Sequence, residues 1–566
     1  MESGSDKKME ESENSDISSS TSEISHSNSF EKENANFSKL YELISPEKRS
    51  FWVCVLILRL CLPIFTKHFM HADEYWQGTE IAYHLVYGGV ALPWEWKVQH
   101  PIRSTLFPAI YAVFYYIAKQ IGVDSNLIVT NLPYVLQSIF VFIADICFYK
   151  FTRKHLGREI AYYSILFYIS NPMILEAMPK VLSNSMETIL LLIGLFVYSS
   201  SNSRNLYSKI IPIICMVSFI IRNTSAISWV FIIIGEMIQN KTFSYVFANY
   251  AYITIPVFSL TVLLDYQFYN AIHLIPYNFL KFNVLDGMSD LFGTSGKYDY
   301  FLQFLPDQLS NLYIFAIIGI IIYTIKKLLK KQFPILFFIP LAILGVHTKI
   351  SHKEYRFILP AIPLLIILAT EGFIFLLRKF VFLKKLIFWF IIFTNMFVLI
   401  IHLGGRTHNA KIFDHIFKNI DVNRETTIGI YNSCYISPYY TQSHGMNVTV
   451  ISNDCTPLEL LDKDQHKYYM HPYSEFYHDH MINFTFKTYE ERIHYFVTNS
   501  GITQPQRQFF SKEIMKFYKL DAVITIGRNF EYPINFFDLQ KLWADLQKTQ
   551  KMYVYKIKSE YSLSKI

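Results

Sequence analysis

Residues 51–78 read FWVCVLILRLCLPIFTKHFMHADEYWQG. The first part is an apolar run, Phe51 to Phe65, which reads as a membrane span at about 51–66. The second part, His71-Ala-Asp-Glu-Tyr-Trp-Gln-Gly78, sets two adjacent carboxylates beside a His, a Tyr and a Trp where the chain leaves the membrane. A span that opens directly onto such a loop predicts a bundle of membrane helices with its chemistry on the loops. An interfacial aromatic belt with solvated charges is the competing reading of the loop alone. What decides between them is whether the rest of the chain brings anything for Asp73 and Glu74 to act upon.

The composition supports the membrane reading. The 566 residues are 52% hydrophobic and 17% aromatic, and the charges concentrate toward the two ends. A formal charge of +7 does not imply nucleic acid, because the basic residues cluster in short loops between apolar runs. Lys326, Lys327, Lys330 and Lys331 form one such cluster, and Arg378, Lys379, Lys384 and Lys385 another, as cytoplasmic loops do. Apolar segments recur at Ser104–Ile121, Leu127–Tyr149, Ile160–Ala177, Met186–Ser200, Ile210–Ile221, Ser225–Ile238 and Tyr250–Leu264. Leu312–Ile325, Phe333–Val346, Phe357–Leu377 and Leu386–Leu403 follow. The expected fold is an all-α polytopic membrane protein with about 10–13 transmembrane helices.

Residues 1–45, rich in Ser, Glu and Asn, are expected to be a disordered cytosolic tail. No cleavable signal peptide is read before the first span, which is therefore expected to serve as the signal anchor, with Lys48 and Arg49 expected to hold its near end in the cytosol. Residues 46–404 are then the membrane domain, with luminal loops near 67–103 and 265–310, and 405–566 a luminal C-terminal domain. Simple alternation places the basic stretch 150–158 in the lumen, against the positive-inside rule. Either one segment within 104–149 does not fully cross, or that loop breaks the rule.

In the C-terminal domain, Thr427–Tyr431, Val448–Ser452 and Ala522–Ile526 read as strands and Leu539–Gln550 as a helix, which predicts a small α/β unit. Of six cysteines, only Cys434 and Cys455 lie outside apolar runs, near the sequons at Asn447 and Asn483. Together these favour an oxidising lumen. A Cys434–Cys455 disulfide would stabilise the domain by roughly 3 kcal/mol for a loop of about 20 residues. Two free thiols on separate strands are the alternative.

Three luminal elements carry candidate chemistry. The loop 67–103 holds His71, Asp73, Glu74, Tyr75, Trp76 and Gln77, then Trp94-Glu-Trp96 and Arg103. The loop 265–310 holds Asp265-Tyr266, Pro276-Tyr-Asn278, Lys281-Phe-Asn283 and Phe292-Gly-Thr-Ser-Gly-Lys297. His352-Lys353-Glu354-Tyr355-Arg356 sits directly before a span. Carboxylates, aromatic faces and cations at a bilayer surface suit sugar transfer from a lipid phosphate. An acceptor hydroxyl needs a base as the bond forms, and one positioned Asp supplies it. A phosphate leaving group needs no general acid, unlike the carboxylate pair of a glycosidase. Its charge must instead be met by Arg, Lys or His, with Arg able to do so bidentately. Asp73 is the expected base and Glu74 its orienting or substrate-binding partner, the reverse assignment remaining open. His71, Tyr75, Trp76, Gln77, Trp94, Trp96, Arg103, His352, Lys353, Glu354 and Arg356 are the candidate substrate-binding residues. Arg356 and Lys353, with His352, are expected to meet the lipid phosphate, although His352 has an alternative role in orienting the acceptor.

HADEYWQG resembles the H-P-D-E motif of the dolichyl-phosphate-mannose-dependent α-mannosyltransferases of glycosyltransferase family 22, with Ala72 where many members have Pro. His352-Lys-Glu-Tyr-Arg-Phe-Ile-Leu-Pro360 resembles the second signature of the same family. The resemblance runs through nearly all of 51–403, and it implies a GT-C fold. Trp94-Glu-Trp96 with Ile102-Arg-Ser104, and Cys434 with Ser437-Pro-Tyr-Tyr440 and Asp454-Cys-Thr-Pro457, are similar to the branch that adds the third mannose of the GPI core. The resemblance implies an inverting endoplasmic-reticulum enzyme that makes an α1,2 linkage. Its substrates would be dolichyl-phosphate-mannose and a mannosylated GPI intermediate, with no cofactor or metal; it names no protein partner. A sibling enzyme, acting on N-glycan precursors or on the fourth GPI mannose, is the nearest alternative. A secondary transporter is the alternative of another class, with Arg59 and Arg222 as its intramembrane charges.

Overall fold

The computed structural model describes residues 45–66, 70–201, 206–240 and 243–405. In the C-terminal part it describes 415–418, 420, 425–431, 438–452, 456, 460, 493–499, 518–528 and 549–557. The expected tail up to residue 44, the Cys434–Cys455 pair and the Asn483 sequon lie outside the described residues.

The apolar runs fold as helices. Among the described residues, five are long and apolar enough to cross a membrane: Asn126–Leu156, Phe243–Tyr269, Tyr300–Leu329, Tyr355–Leu377 and Val381–Leu403. Leu206–Ile221 and Ile335–Lys349 are shorter apolar helices. Arg49–Thr66, Leu106–Gln120, Ser183–Ser200 and Ala226–Asn240 take up other expected segments with 15 to 18 residues each. The expected span Ile160–Ala177 is two helices, Arg158–Ser170 and Pro172–Ala177. Pro172 has no N–H to continue the first helix, and Asn171 caps the second by accepting from the Ile174 amide at 3.1 Å.

The two arginines inside the bundle singled out by the sequence are each paired with a carboxylate. Arg59 donates to both carboxylate oxygens of Asp145, at 2.9 and 3.0 Å, and both side chains are fully buried. Arg222 meets Glu187 at 3.1 Å.

The helices Tyr313–Leu329 and Ile362–Leu377 cross at two glycines. A Cβ on Gly319 would lie 1.7 Å from the Leu368 carbonyl oxygen, and one on Gly372 would lie 2.2 Å from that of Phe315. Only backbone stands in the way, so the helices must part to admit a methyl group. Gly319→Ala is therefore expected to lower the melting temperature in detergent, with an overpacking cost of about 1–3 kcal/mol. Gly345→Ala is the control, since nothing lies within 4 Å of its Cβ position. Equal melting of the two variants would remove the glycine crossing as a determinant of packing.

The C-terminal part holds a five-stranded sheet of β1 (Thr426–Tyr431), β2 (Val448–Ser452), β3 (Ile493–Asn499), β4 (Tyr518–Arg528) and β5 (Thr549–Ile557), ordered β2-β1-β3-β5-β4. β1 runs parallel to β2 and β3, while β5 is antiparallel to β3 and β4. The three expected strands are present as β1, β2 and the middle of β4. Of the expected helix Leu539–Gln550, only Thr549 and Gln550 are described, and they open β5. The Tyr553-Val-Tyr555 run just beyond favours strand, and pairing on both sides fixes it.

The loop after helix Arg49–Thr66 packs directly on this part of the chain. Tyr75, Trp76 and Val90 share a core with Ile416, Ile428, Tyr439 and Val450. Glu80, at the start of helix Glu80–Tyr87, accepts from the amides of Tyr440 and Thr441 at 2.9 and 3.2 Å and from the Thr441 hydroxyl at 2.5 Å.

Candidate active site

The turn after the first span begins with backbone hydrogen bonds from Glu74 to the His71 carbonyl and from Tyr75 and Trp76 to that of Ala72, each 3.1 Å. The chain thus enters a helix at Asp73, which widens into a π-helical turn over Tyr75–Thr79. Successive side chains on a helix leave about 100° apart, so the adjacent carboxylates face different surroundings. Glu74 is fully buried, accepts from the Tyr134 hydroxyl at 2.8 Å and pairs with the buried Lys180 at 3.3 Å. Asp73 is about a fifth exposed and meets Arg356 Nη1 at 2.5 Å.

Arg356 uses its other edge on Glu354, with Nε to Oε2 at 2.5 Å and Nη2 to Oε1 at 3.0 Å. One guanidinium therefore bridges two carboxylates that lie far apart in sequence. His71 closes the ring, with Nδ1 3.1 Å from the Asp73 amide and Nε2 3.3 Å from Glu354. The amide contact needs a lone pair on Nδ1, which leaves the proton on Nε2, facing Glu354. His352 differs, for its Nδ1 faces the Gly293 carbonyl and its Nε2 faces Glu354, both at 2.9 Å. Only the imidazolium donates to both.

The electrostatics follow the geometry. Burial raises the Asp73 carboxyl, but the charge of Arg356 and the contact with His71 outweigh it and hold the group well below the usual carboxylate range. Glu354 behaves the same way, burial being overcome by Arg356, His71 and His352. Burial lowers His352, yet its hydrogen bond to Glu354 and the charge of that group raise it above an ordinary histidine.

A cleft of about 380 Å³ adjoins this cluster, lined by Gln77, Trp96, Arg103, Ser183, Arg222 and Phe279 among others. Arg103 Nε is 2.8 Å from Glu95, the middle residue of Trp94-Glu-Trp96. Burial raises the Glu95 carboxyl against the pull of Arg103, and the charge of Asp73 adds to the rise. Arg222 and Arg356 flank a single ring, lying 5.3 and 5.4 Å from the Phe357 centroid.

Most of the residues expected from the sequence thus meet in one place. His71, Asp73, His352, Glu354 and Arg356 form the cluster, and Gln77, Trp96 and Arg103 line the adjoining cleft. The other expected residues lie elsewhere. Trp76 is 3% exposed and packs edge-on against Tyr439, a core position. Tyr75 is buried in the same core, and its ring lines a different cleft. Trp94 is buried and stacks on Phe292. Lys353 is buried with Nζ on the Ile350 carbonyl at 2.7 Å, turned to its own loop. Glu95, Lys180 and Arg222 were not among the expected site residues. For Arg222 the available signal was an arginine closing an apolar run.

Residues 50–444 match the Alg9-like mannosyltransferase family. The chain belongs to that family. The mannosyltransferase is 29% identical over 459 residues to mannosyltransferase APTG1 of Arabidopsis thaliana, which covers 75% of this chain and 80% of that one. It is 27% identical over 446 residues to GPI alpha-1,2-mannosyltransferase 3 of Homo sapiens, covering 76% and 78%. In fold it is similar to the crystal structure of ArnT from Cupriavidus metallidurans bound to undecaprenyl phosphate, with a TM-score of 0.52 and 10% identity. That likeness covers 89% of this chain and 97% of the other. The protein is a multi-pass membrane mannosyltransferase with the GT-C fold.

Proposed function

We propose that this mannosyltransferase takes mannose from dolichyl-phosphate-mannose and adds the third, α1,2-linked mannose to the GPI core in the endoplasmic reticulum lumen. The similarity to GPI alpha-1,2-mannosyltransferase 3 supports the acceptor. The observation that carries the chemistry is Asp73 held against Arg356, beside a cleft containing Arg103 and Arg222. An acceptor hydroxyl attacks the anomeric carbon opposite the phosphate, the C1–O bond to phosphate breaks, and Asp73 receives the hydroxyl proton. The phosphodiester monoanion leaves as a phosphomonoester dianion, so one negative charge moves from Asp73 to the phosphate.

Charge balance then assigns work to the arginines. In the resting site each cation has a carboxylate: Arg356 has Asp73 and Glu354, Arg103 has Glu95, and Arg222 has Glu187. As Asp73 becomes neutral and the phosphate gains charge, Arg356 shifts its attraction from the first to the second. Glu354 stays bidentate on Arg356 and keeps its fork oriented. No cofactor takes part in this scheme.

The cytosolic side is assigned to the end of helix Tyr313–Leu329 that carries Lys326 and Lys327. With that assignment, and with Lys48 and Arg49 before the first helix, we infer a cytosolic N-terminus and a luminal C-terminal sheet. Asn447 is exposed just before β2, and a glycosidase-sensitive glycan there would support this sidedness.

The test is transfer from labelled dolichyl-phosphate-mannose, in membranes containing the full chain, to GPI acceptors bearing two or three mannoses. The expected product adds one mannose to the two-mannose acceptor, removable by an α1,2-specific mannosidase. Transfer to the three-mannose acceptor alone would overturn the reading in favour of a sibling activity.

A further inference from the structure

A second cleft lies on the opposite side of the π-helical turn from the arginines. Gln77 lines the arginine cleft, whereas Tyr75 and Thr79, two residues to either side, line the second. Its space, open solvent at the mouth included, is about 490 Å³, and its other walls include Tyr115, Tyr134, Lys180 and, from the C-terminal part, Pro438, Thr441 and Gln442. We propose that this cleft binds a saccharide unit of the acceptor, remote from the hydroxyl that reacts. The proposal rests on the glycan-transfer reading above and adds a subsite to it.

Three features select a neutral polyol. First, the cleft wall contains polar atoms in need of partners. Thr79 is 4% exposed with Oγ1 unbonded, and the buried Oε1 of Gln442 is also unbonded among the described residues. An unmet buried polar atom is costly, and a sugar hydroxyl can donate to one and accept from the other. Second, of the tyrosines in the wall, the half-buried Tyr134 supplies aromatic surface for the C–H face of a pyranose, with the buried Tyr75 and Tyr115 completing an apolar wall. Third, Lys180, the single cation among the described residues of the wall, is paired with Glu74 at 3.3 Å. The cleft therefore offers no net positive charge to a phosphate, in contrast to the one holding Arg103 and Arg222.

The position explains how the site would act. Tyr75 and Thr79 follow Asp73 on the same continuous turn, so a glycan lodged against them is indexed to the base by backbone alone. Glu80 fixes the far wall, since it holds the Tyr440 and Thr441 amides. Acceptor choice would then depend on the C-terminal part as well as on the membrane helices.

The experiment uses the full-length chain in nanodiscs, with water-soluble α-mannobiose as the probe in saturation-transfer NMR. Wild type is expected to bind it, and Thr79→Val and Gln442→Leu each to weaken binding about tenfold, the effect of one lost hydrogen bond. Thr79→Ser should restore it, and dolichyl phosphate binding should not change. In turnover the same two variants should raise KM for the two-mannose acceptor about tenfold, with kcat and donor KM kept. Because Thr79 and Gln442 lie on separate segments, misfolding of one leaves the other as a test. Unchanged mannobiose binding and acceptor KM in a variant that melts like wild type would overturn the proposal. If wild type binds mannobiose through these residues but transfers no mannose to the two-mannose acceptor, the cleft stands and the proposed reaction falls.

Discussion

Asp73→Asn is expected to cut mannosyl transfer by a factor of about 100 to 10,000, the usual contribution of a positioned general base. Protein level and membrane insertion should remain normal. The substitution keeps the side-chain shape and an oxygen that can still accept from Arg356. It also strands no cation, because Arg356 retains both contacts to Glu354. What it removes is proton acceptance. Glu74→Gln is the informative comparison. That carboxylate is fully buried against Lys180 and Tyr134 rather than facing the arginine cluster. Loss of its charge leaves the buried Lys180 with an uncompensated ammonium, a defect that costs about 3–5 kcal/mol. Glu74→Gln should therefore lower abundance more than turnover per molecule. Initial rates normalised to inserted protein separate the two. Near-normal turnover in Asp73→Asn would hand the base to another group, with Glu74 the next to test.

That these neighbours point in different directions was legible in the sequence, because adjacent side chains diverge on a helix. Their environments were not. Asp73 and Arg356 are 283 residues apart, and no periodicity links two loops that only tertiary packing brings together. The residue types in each motif showed that both had something to hold. Arg222 was harder to place, because an arginine ending an apolar run reads as a charge paired inside the bundle. It does pair there, with Glu187, while also sharing the Phe357 ring with Arg356. Aromatic residues misled in the other direction: a Trp beside an acidic motif suggests a sugar platform, yet Trp76 fills a core against Tyr439. Hydropathy located the helical segments and missed the Asn171-Pro172 break, which depends on a cap and a missing N–H.

Arg356 gives the sharpest test of how the site is charged. Arg356→Lys keeps the cation and loses the planar fork, so it cannot hold Glu354 through two donors while also reaching Asp73. Each lost charge-assisted hydrogen bond is worth about 1.5–3 kcal/mol, so a fall of about 10- to 100-fold in kcat/KM for the donor is expected. Arg356→Ala goes further and changes the proton chemistry of Asp73. At present burial raises the Asp73 carboxyl and Arg356 is the foremost of the groups that lower it. Removing the guanidinium takes away the largest of the groups that oppose burial, leaving His71, Arg103 and Arg222, so the carboxyl must titrate at higher pH. The sign is then fixed: the base works when deprotonated, and its acid limb in the kcat/KM profile moves upward in Arg356→Ala. Arg356→Lys should leave the limb close to wild type, because the charge remains. The two variants thus separate the fork from the charge, one through donor KM and the other through the pH profile. An acid limb that stays in place in Arg356→Ala, with donor KM unchanged in both variants, would remove Arg356 from phosphate binding and from control of the base alike.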